Sequence, residues 1–221
     1  MEKIQQAIRD LKLGRPVIIS DNLKRENESD MVVHASAATP EIIKKLRNEA
    51  GGMICMVIDE KIAELLGLRY FSSILKSLSF PYNKLAIDKT PYGDEPAFSL
   101  YINSKKCYSG ISDMDRSTTI IEFEKLISQQ SKIKKIKENF VKNFYSPGHV
   151  PVLIAKDLTK RKGHSEYSIK LAKLANLSPV VVICEMLSSN FYPMRGNEVE
   201  EYAKKTNTIV LKEEDFQKYI E

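Results

Sequence analysis

Apolar residues along the chain switch between helical and strand spacing. Ile4, Ala7, Ile8 and Leu11 mark a first amphipathic helix, and Gly14 suits its C-terminal cap. Val17-Ile18-Ile19 then reads as a short buried strand and Met31-Val32-Val33 as a second. Thr39-Pro40 is an N-cap followed by proline in the first helical position, opening a helix to about Ala50 that Gly51-Gly52 ends. Met53 to Ile58 is another apolar strand, and Asp59 can cap a short helix stopping at Gly67. Residues 72–96 contain three prolines and little periodicity, and read as a long excursion or flap.

Strand character resumes at Phe98 to Ile102, and Ile120, Phe123 and Ile127 place a helix after residues 109–119. Val150 to Ala155 is a strand. Ile169, Ala172 and Ala175 form one helix face, Asn176 can cap its end, and Pro179 blocks continuation. Val180 to Cys184 is a strongly apolar strand. Asn197 can cap a helix burying Val199, Tyr202 and Ala203. Thr208 to Leu211 is a last strand, and Phe216, Tyr219 and Ile220 suggest a terminal helix.

This order predicts an α/β (α+β) fold, a single domain over residues 1–221 with a mixed, twisted sheet and helices packed on its faces. No repeat or linker-like break in composition interrupts it. There is no GxGxxG after a strand and no GxxxxGK[ST], so neither a dinucleotide fold nor a P-loop is indicated. No apolar stretch approaches the roughly 20 residues that span a bilayer, and MEKIQQAIRD lacks a signal-peptide apolar region, so a cytoplasmic protein without a membrane partner is expected.

Composition changes this picture little. The three cysteines, Cys55, Cys107 and Cys184, are odd in number and lack metal-type spacing, which argues against a disulfide framework or a zinc site. The net charge of +5 fits nucleic acid, lipid or an anionic metabolite as partner, or ordinary surface lysine. The densest basic stretch, Lys132 to Lys137, carries Ile133 and Ile136 three apart with Phe140 beyond, an amphipathic helix with a solvated lysine face. Without interleaved aromatics or arginines it does not suggest nucleic-acid binding.

Three clusters carry the candidate chemistry. Between two apolar strands lie Asp21, Arg25, Glu26, Glu28 and Asp30. If residues 25–30 continue as a strand, Glu26, Glu28 and Asp30 alternate onto one face, where they repel unless a cation or hydroxylated substrate relieves them. Such oxygen-rich sets suit magnesium or manganese, although an acidic solvated turn has the same composition. The second cluster is Arg161-Lys162-Gly163-His164-Ser165-Glu166. Cations, a glycine and a helix start at Ser165 describe an anion site, with His164 able to ligate a metal or simply to pack. The third runs from Ser109 through Ser112, Asp113 and Arg116 to Thr119. This hydroxyl-rich turn can bind phosphate or cap a helix equally well. His149 precedes a strand, Glu185 ends one where α/β active-site residues emerge, and His34 reads as structural. Cys55, inside an apolar strand, reads by itself as a small buried hydrophobe.

Taken together these segments resemble the 3,4-dihydroxy-2-butanone 4-phosphate synthases of riboflavin biosynthesis. The family's DxxxRENEGD appears as Asp21 to Asp30 with Ser29 for glycine, and its TGISxxDR as SGISDMDR, residues 109–116. GHV matches Gly148-His149-Val150, RxGHTE appears as RKGHSE, residues 161–166, and ICE matches Ile183-Cys184-Glu185. Five motifs in family order are highly specific. The segment after Glu185 departs from the family's glycine/aspartate-rich turn, reading Leu187-Ser-Ser-Asn-Phe-Tyr-Pro-Met194.

The resemblance implies a homodimer that converts D-ribulose 5-phosphate to 3,4-dihydroxy-2-butanone 4-phosphate and formate. It implies magnesium or manganese, two ions with substrate bound, held by Glu26 and His164. It implies substrate contacts from Arg25, Asp30, Arg161 and Ser165, and roles in turnover for Glu185 and His149. Asp21, Cys55, Ser109, Ser112, Asp113, Arg116, Gly163 and Glu166 are further substrate-site candidates, and Glu28 and Asp30 join Glu185 and His149 as candidate acids and bases. Enolising a ketose, losing water, shifting a carbon and expelling formate would each draw on charge stabilisation and proton transfer. Two other readings are a non-catalytic anion- or nucleic-acid-binding protein keeping the fold, and a different metal-assisted sugar-phosphate isomerase or lyase.

Overall fold

A computed structural model of the chain describes residues 2–22, 25–129 and 135–220. Its strands are β1 (Val17–Ser20), β2 (Ser29–His34), β3 (Ile54–Asp59), β4 (Phe98–Ser104), β5 (Phe144–Ala155), β6 (Val180–Glu185) and β7 (Val210–Lys212). They form one seven-stranded sheet in the order β4-β5-β3-β6-β2-β1-β7. β3 with β5 and β1 with β7 run parallel, and the other pairs are antiparallel. The central strands are buried on both faces, which explains why they read as continuous apolar runs rather than alternating ones.

Helices cover both faces. One core layer joins Met31, Val33, Met56, Val182 and Cys184 to α2 (Pro40–Glu49), α3 (Glu60–Leu66), α6 (Asp113–Ser128), α7 (Ile136–Asn143) and α9 (Asn197–Thr206). The other joins Val32, Cys55, Val57, Val181 and Ile183 to α1 (Glu2–Lys12), α8 (His164–Leu174) and α10 (Glu213–Phe216). Alternate residues of each strand thus serve opposite layers. Asp30, paired with Glu185, and Cys55, paired with Ile183, belong to the α8 side.

The capping signals hold at several ends. Thr39 and Asp59 accept from Ile42 N–H and Ile62 N–H, and Gly67 closes α3 in the left-handed region. Elsewhere the structure corrects the sequence. Residues 25–28 turn instead of extending as a strand, and β2 starts at Ser29. The cause is local: the Asp21 carboxylate accepts from Asn22 N–H and Glu26 N–H, while Asp21 N–H donates to the Glu28 carbonyl at 2.9 Å. α6 starts inside the SGISDMDR segment because Ser112 caps it by accepting from Asp115 N–H.

β5 begins at Phe144 and runs through Gly148-His149, six residues before the expected start. Its pairing with β4 carries that extension, with Asn103 opposite Tyr145. α8 begins at His164 behind Gly163, and α9 at Asn197 behind Gly196, so Ser165 and Asn197 lie within the helices. Within the 72–96 excursion stand α4 (Phe71–Lys76) and α5 (Tyr82–Leu85), neither burying a residue, which is why no apolar period marks them. The terminal helix is one turn of α10 followed by a 3-10 turn, Gln217–Tyr219. Of the basic amphipathic segment, residues 130–134, including Lys132 and Ile133, lie outside the described residues; Ile136 and Phe140 of α7 are buried as expected. His34 is structural, its ring held between Ser36 and Ser178.

Candidate active site

The end of β6, the start of β2 and the start of β3 converge beneath the N-terminus of α8. Around this point lies a cavity of about 430 Å³ lined by Arg25, Glu26, Glu28, Asp30, Cys55, Arg161, His164, Ser165 and Glu185, with Thr90, Tyr92 and Pro96 from the excursion. The acidic loop, the RKGHSE turn and the strand-end glutamate, far apart in sequence, therefore share one space.

His164 is the pivot. Its Nδ1 lies 3.1 Å from Glu26 Oε2 and 4.0 Å from Asp30 Oδ1. Its Nε2 lies 3.2 Å from the Glu28 carbonyl, an acceptor only, so Nε2 carries a proton and Nδ1 faces the carboxylates. Ligand atoms of Asp21, Glu26 and His164 all fall within 4.8 Å of one another. Such a set, two hard carboxylates and an imidazole oriented through its other nitrogen, fits a divalent cation of the magnesium or manganese class.

The charges are unbalanced in an informative way. Burial alone would discharge His164, yet Asp30, Glu26 and Asp21 raise its pKa to about 9. Glu26 is lowered to about 2 despite burial, because His164 and Tyr92 donate hydrogen bonds to it and His164 and Arg25 supply positive charge. Burial raises Asp30 to about 6, His164 opposing and Glu26, Glu28 and Asp21 adding repulsion. Burial, a hydrogen bond to Glu185 and the charge of Glu185 raise Glu28 to about 7. Two carboxyl groups sharing a site near neutral pH can both give and take a proton.

Arg25 is tied down by Asp21 at 2.6 Å, Glu26 at 2.8 Å and Asp94 at 2.7 Å, beneath the Tyr92 ring. Gly163 makes room for it: a Cβ there would stand 2.8 Å from Arg25 Nη2. Arg161 differs. Among the described residues its buried Nε and Nη1 find no hydrogen-bond partner, and the carboxylates of Asp94 and Glu166 are 3.5 and 3.6 Å away. Buried guanidinium nitrogens left unpaired in a cavity wall suit an incoming anion. Glu166 is spent on backbone, accepting from Gly163 N–H and Lys156 N–H.

Ser109, Ser112, Asp113, Arg116 and His149 do not line this cavity. Ser112 caps α6, Asp113 pairs with Arg47 and Arg116, and Asp115 accepts from the N–H groups of Ser109 and Gly110. His149 Nδ1 lies 3.1 Å from Asn103 Nδ2, and the Asn103 side-chain Oδ1 accepts from His149 N–H. Sequence reasoning missed Tyr92 and Asp94, which lie in the aperiodic excursion, and Arg195, whose Nη2 lies 3.6 Å from Glu28 Oε1.

A family model described as 3,4-dihydroxy-2-butanone 4-phosphate synthase matches residues 5–219. The chain belongs to the 3,4-dihydroxy-2-butanone 4-phosphate synthase family. It is 36% identical over 214 residues to the synthase of Methanothermobacter thermautotrophicus, covering 94% of this chain and 91% of that protein. To the synthase of Archaeoglobus fulgidus it is 34% identical over 191 residues, covering 84% and 79%. The Candida albicans synthase structure superposes with a TM-score of 0.76 at 25% identity, covering 99% and 97%. A 3,4-dihydroxy-2-butanone 4-phosphate synthase solved in complex with two magnesium ions shares the fold, with a TM-score of 0.76 at 23% identity, covering 98% and 95%. Membership of the synthase family thus accounts for the fold and for the catalytic nature of the chain.

Proposed function

We propose that residues 1–221 act as one cytoplasmic catalytic domain of riboflavin biosynthesis, converting D-ribulose 5-phosphate to 3,4-dihydroxy-2-butanone 4-phosphate and formate. The observation that carries this reading is one cavity lined by the Glu26–His164 pair suited to a divalent cation and by the Arg161 guanidinium, whose buried Nε and Nη1 lack hydrogen bonds and suit a phosphate. Glu26 and His164, with Asp21 beside them, would hold magnesium or manganese, and a second ion with substrate bound would find further oxygens on Glu28 and Asp30. When bound, the cation supplies positive charge across the substrate's oxygens, favouring enediolate character.

Arg161 and the first-turn N–H groups of α8 at Ser165 anchor the phosphate and so fix the reacting carbons. Glu28, Asp30 and Glu185 serve as the acids and bases, the carboxyls of Glu28 and Asp30 being raised toward neutrality by burial and the charge of their neighbours. Arg25 orients Glu26 and Asp21. Cys55 walls the cavity floor.

His149 and Ser109 enter through a homodimer. They sit outside the cavity of their own chain, where a Cβ on Gly110 would stand 2.6 Å from His149 Nδ1, and the segment that carries Ser109 and Gly110 also carries the exposed Tyr108, Ile111 and Met114. An exposed apolar rim around a polar pair is what a second copy would cover. Incubation with ribulose 5-phosphate and magnesium should release formate, and absence of metal-dependent formate would sink the reading. Mixing inactive Glu26→Gln and His149→Ala proteins should restore part of the activity if the two residues act across an interface. No recovery, with subunit exchange shown to occur, would remove the shared site.

A further inference from the structure

The SGISDMDR segment contributes no side chain to the cavity lining, yet it buries an arginine. Arg116, on the first turn of α6, is 5% exposed. Its Nη2 is held by Asp113 Oδ1 at 3.0 Å, and Asp113 is held in turn by Arg47 of α2 at 3.0 Å. Its Nη1 reaches 3.4 Å to the carbonyl of Gly52, in the turn between α2 and β3. The adjacent residue of that turn, Gly51, donates its N–H to the carbonyl of Glu185 at 2.5 Å.

Glu185 is where β6 runs out of partners on this side. Pairing with β3 ends at Ile54 opposite Cys184, so the Gly51 N–H takes over where the ladder stops. On the other side Met186 N–H donates to the Ser29 carbonyl at 2.8 Å. The backbone carrying the Glu185 side chain is thereby bracketed between the acidic-loop strand and the Gly51-Gly52 turn. The turn itself has little slack. Gly52 has φ +82, and a Cβ on Gly51 would stand 2.7 Å from the Glu185 carbonyl and 2.9 Å from Leu187 Cγ. A small displacement of the turn is therefore transmitted to Glu185.

We infer that Arg116 is a positioning residue for the reaction: through Gly52 and Gly51 it fixes the end of β6 and aims the Glu185 carboxyl into the cavity. The inference rests on the catalytic reading of Glu185 proposed above. Arg116 acts on placement alone and leaves phosphate binding to Arg161. A placement error of about 1 Å in a reacting group costs on the order of a hundredfold in rate.

The test combines kinetics with a readout that needs no activity. In Arg116→Ala, kcat should fall between about tenfold and a hundredfold, with KM for ribulose 5-phosphate and the magnesium dependence within about twofold. Arg116→Lys should recover part of the loss. Gly51→Ala, which leaves the arginine intact but pushes on the Glu185 carbonyl, should reproduce the same split. In a Glu185→Asp background, where the carboxyl is already misplaced, Arg116→Ala should cost little more. Independently, amide exchange in residues 51–54 and 184–187 should speed up in Arg116→Ala while the rest of α6 keeps its protection. Unchanged exchange there overturns the positioning route whether or not the protein makes formate. A raised KM with unchanged kcat, or an equal loss in the Glu185→Asp background, overturns it in favour of direct substrate contact. If wild-type protein releases no formate while exchange responds as expected, the catalytic reading fails and the structural coupling stands.

Discussion

Two regions of the molecule are rich in charged and hydroxyl side chains, and they handle those groups in opposite ways. At the start of α6 each cluster member has a local partner, although the buried Nε of Arg116 is left over: Ser112 pairs with Asp115 N–H, Asp113 with Arg47 and Arg116, Asp115 with the N–H groups before the helix. Beneath α8, carboxylates crowd until burial and repulsion hold Asp30 and Glu28 partly protonated, and Arg161 keeps buried nitrogens without hydrogen bonds. A polar cluster that satisfies itself is scaffold for its own chain. One that stays frustrated when folded is arranged for something that arrives later.

The largest effect expected from this contrast is at the cation set. Glu26→Gln removes a ligand oxygen's charge and should weaken magnesium binding by on the order of a hundredfold or more, abolishing formate release. Unchanged magnesium affinity by calorimetry would break the assignment. Next, Arg161→Met should lower kcat/KM for ribulose 5-phosphate by on the order of a hundredfold, with some loss of stability from the ion pairs to Asp94 and Glu166 at 3.5 and 3.6 Å. A drop in melting temperature without a kinetic change would show that the guanidinium is structural.

The third prediction concerns pH. The raised pKa of His164 contributes stability below about 6.5 that is lost as pH rises through about 9. The raised carboxyls act in the same direction: the fold keeps protons on Asp30 and Glu28 that the unfolded chain releases near 3.8 and 4.5, so stability falls as pH rises toward 6 and 7. A divalent cation binds the fully deprotonated set. Magnesium should therefore raise the melting temperature more at pH 9 than at pH 6, and equal shifts at both would contradict the frustrated-site picture. The smallest effect lies in the satisfied region. Asp115→Asn weakens acceptance from Ser109 and Gly110 and should cost about 1 kcal/mol by denaturant titration, with magnesium affinity unchanged.

Legibility in the sequence followed the same divide. Helices and strands with a buried face announced themselves by period, as at Ile4–Leu11 and Val180–Cys184, because burial on one or both faces dictates apolar spacing. α4 and α5 bury nothing, so no period marked them, and Tyr92 of the cavity wall and Asp94, the partner of Arg25, were missed with them. The acidic loop was recognised by content but given the wrong shape, since a side-chain-capped turn at Asp21 has no periodic signature.

By itself the sequence determined the order of the strands and of the helices that bury a face, the two-faced burial of the central strands, the caps at Thr39 and Asp59, and the family, since five ordered motifs are carried in residue identity alone. Only the tertiary structure decided which motifs share a space. It placed Glu26 against His164, 138 residues away, left Arg161 without hydrogen bonds from its buried nitrogens, and turned Arg116 toward the Gly51-Gly52 turn. The reason is physical: spacing along a chain reports which side of an element is buried, whereas the meeting of charges depends on how the sheet aligns strand ends under one helix terminus.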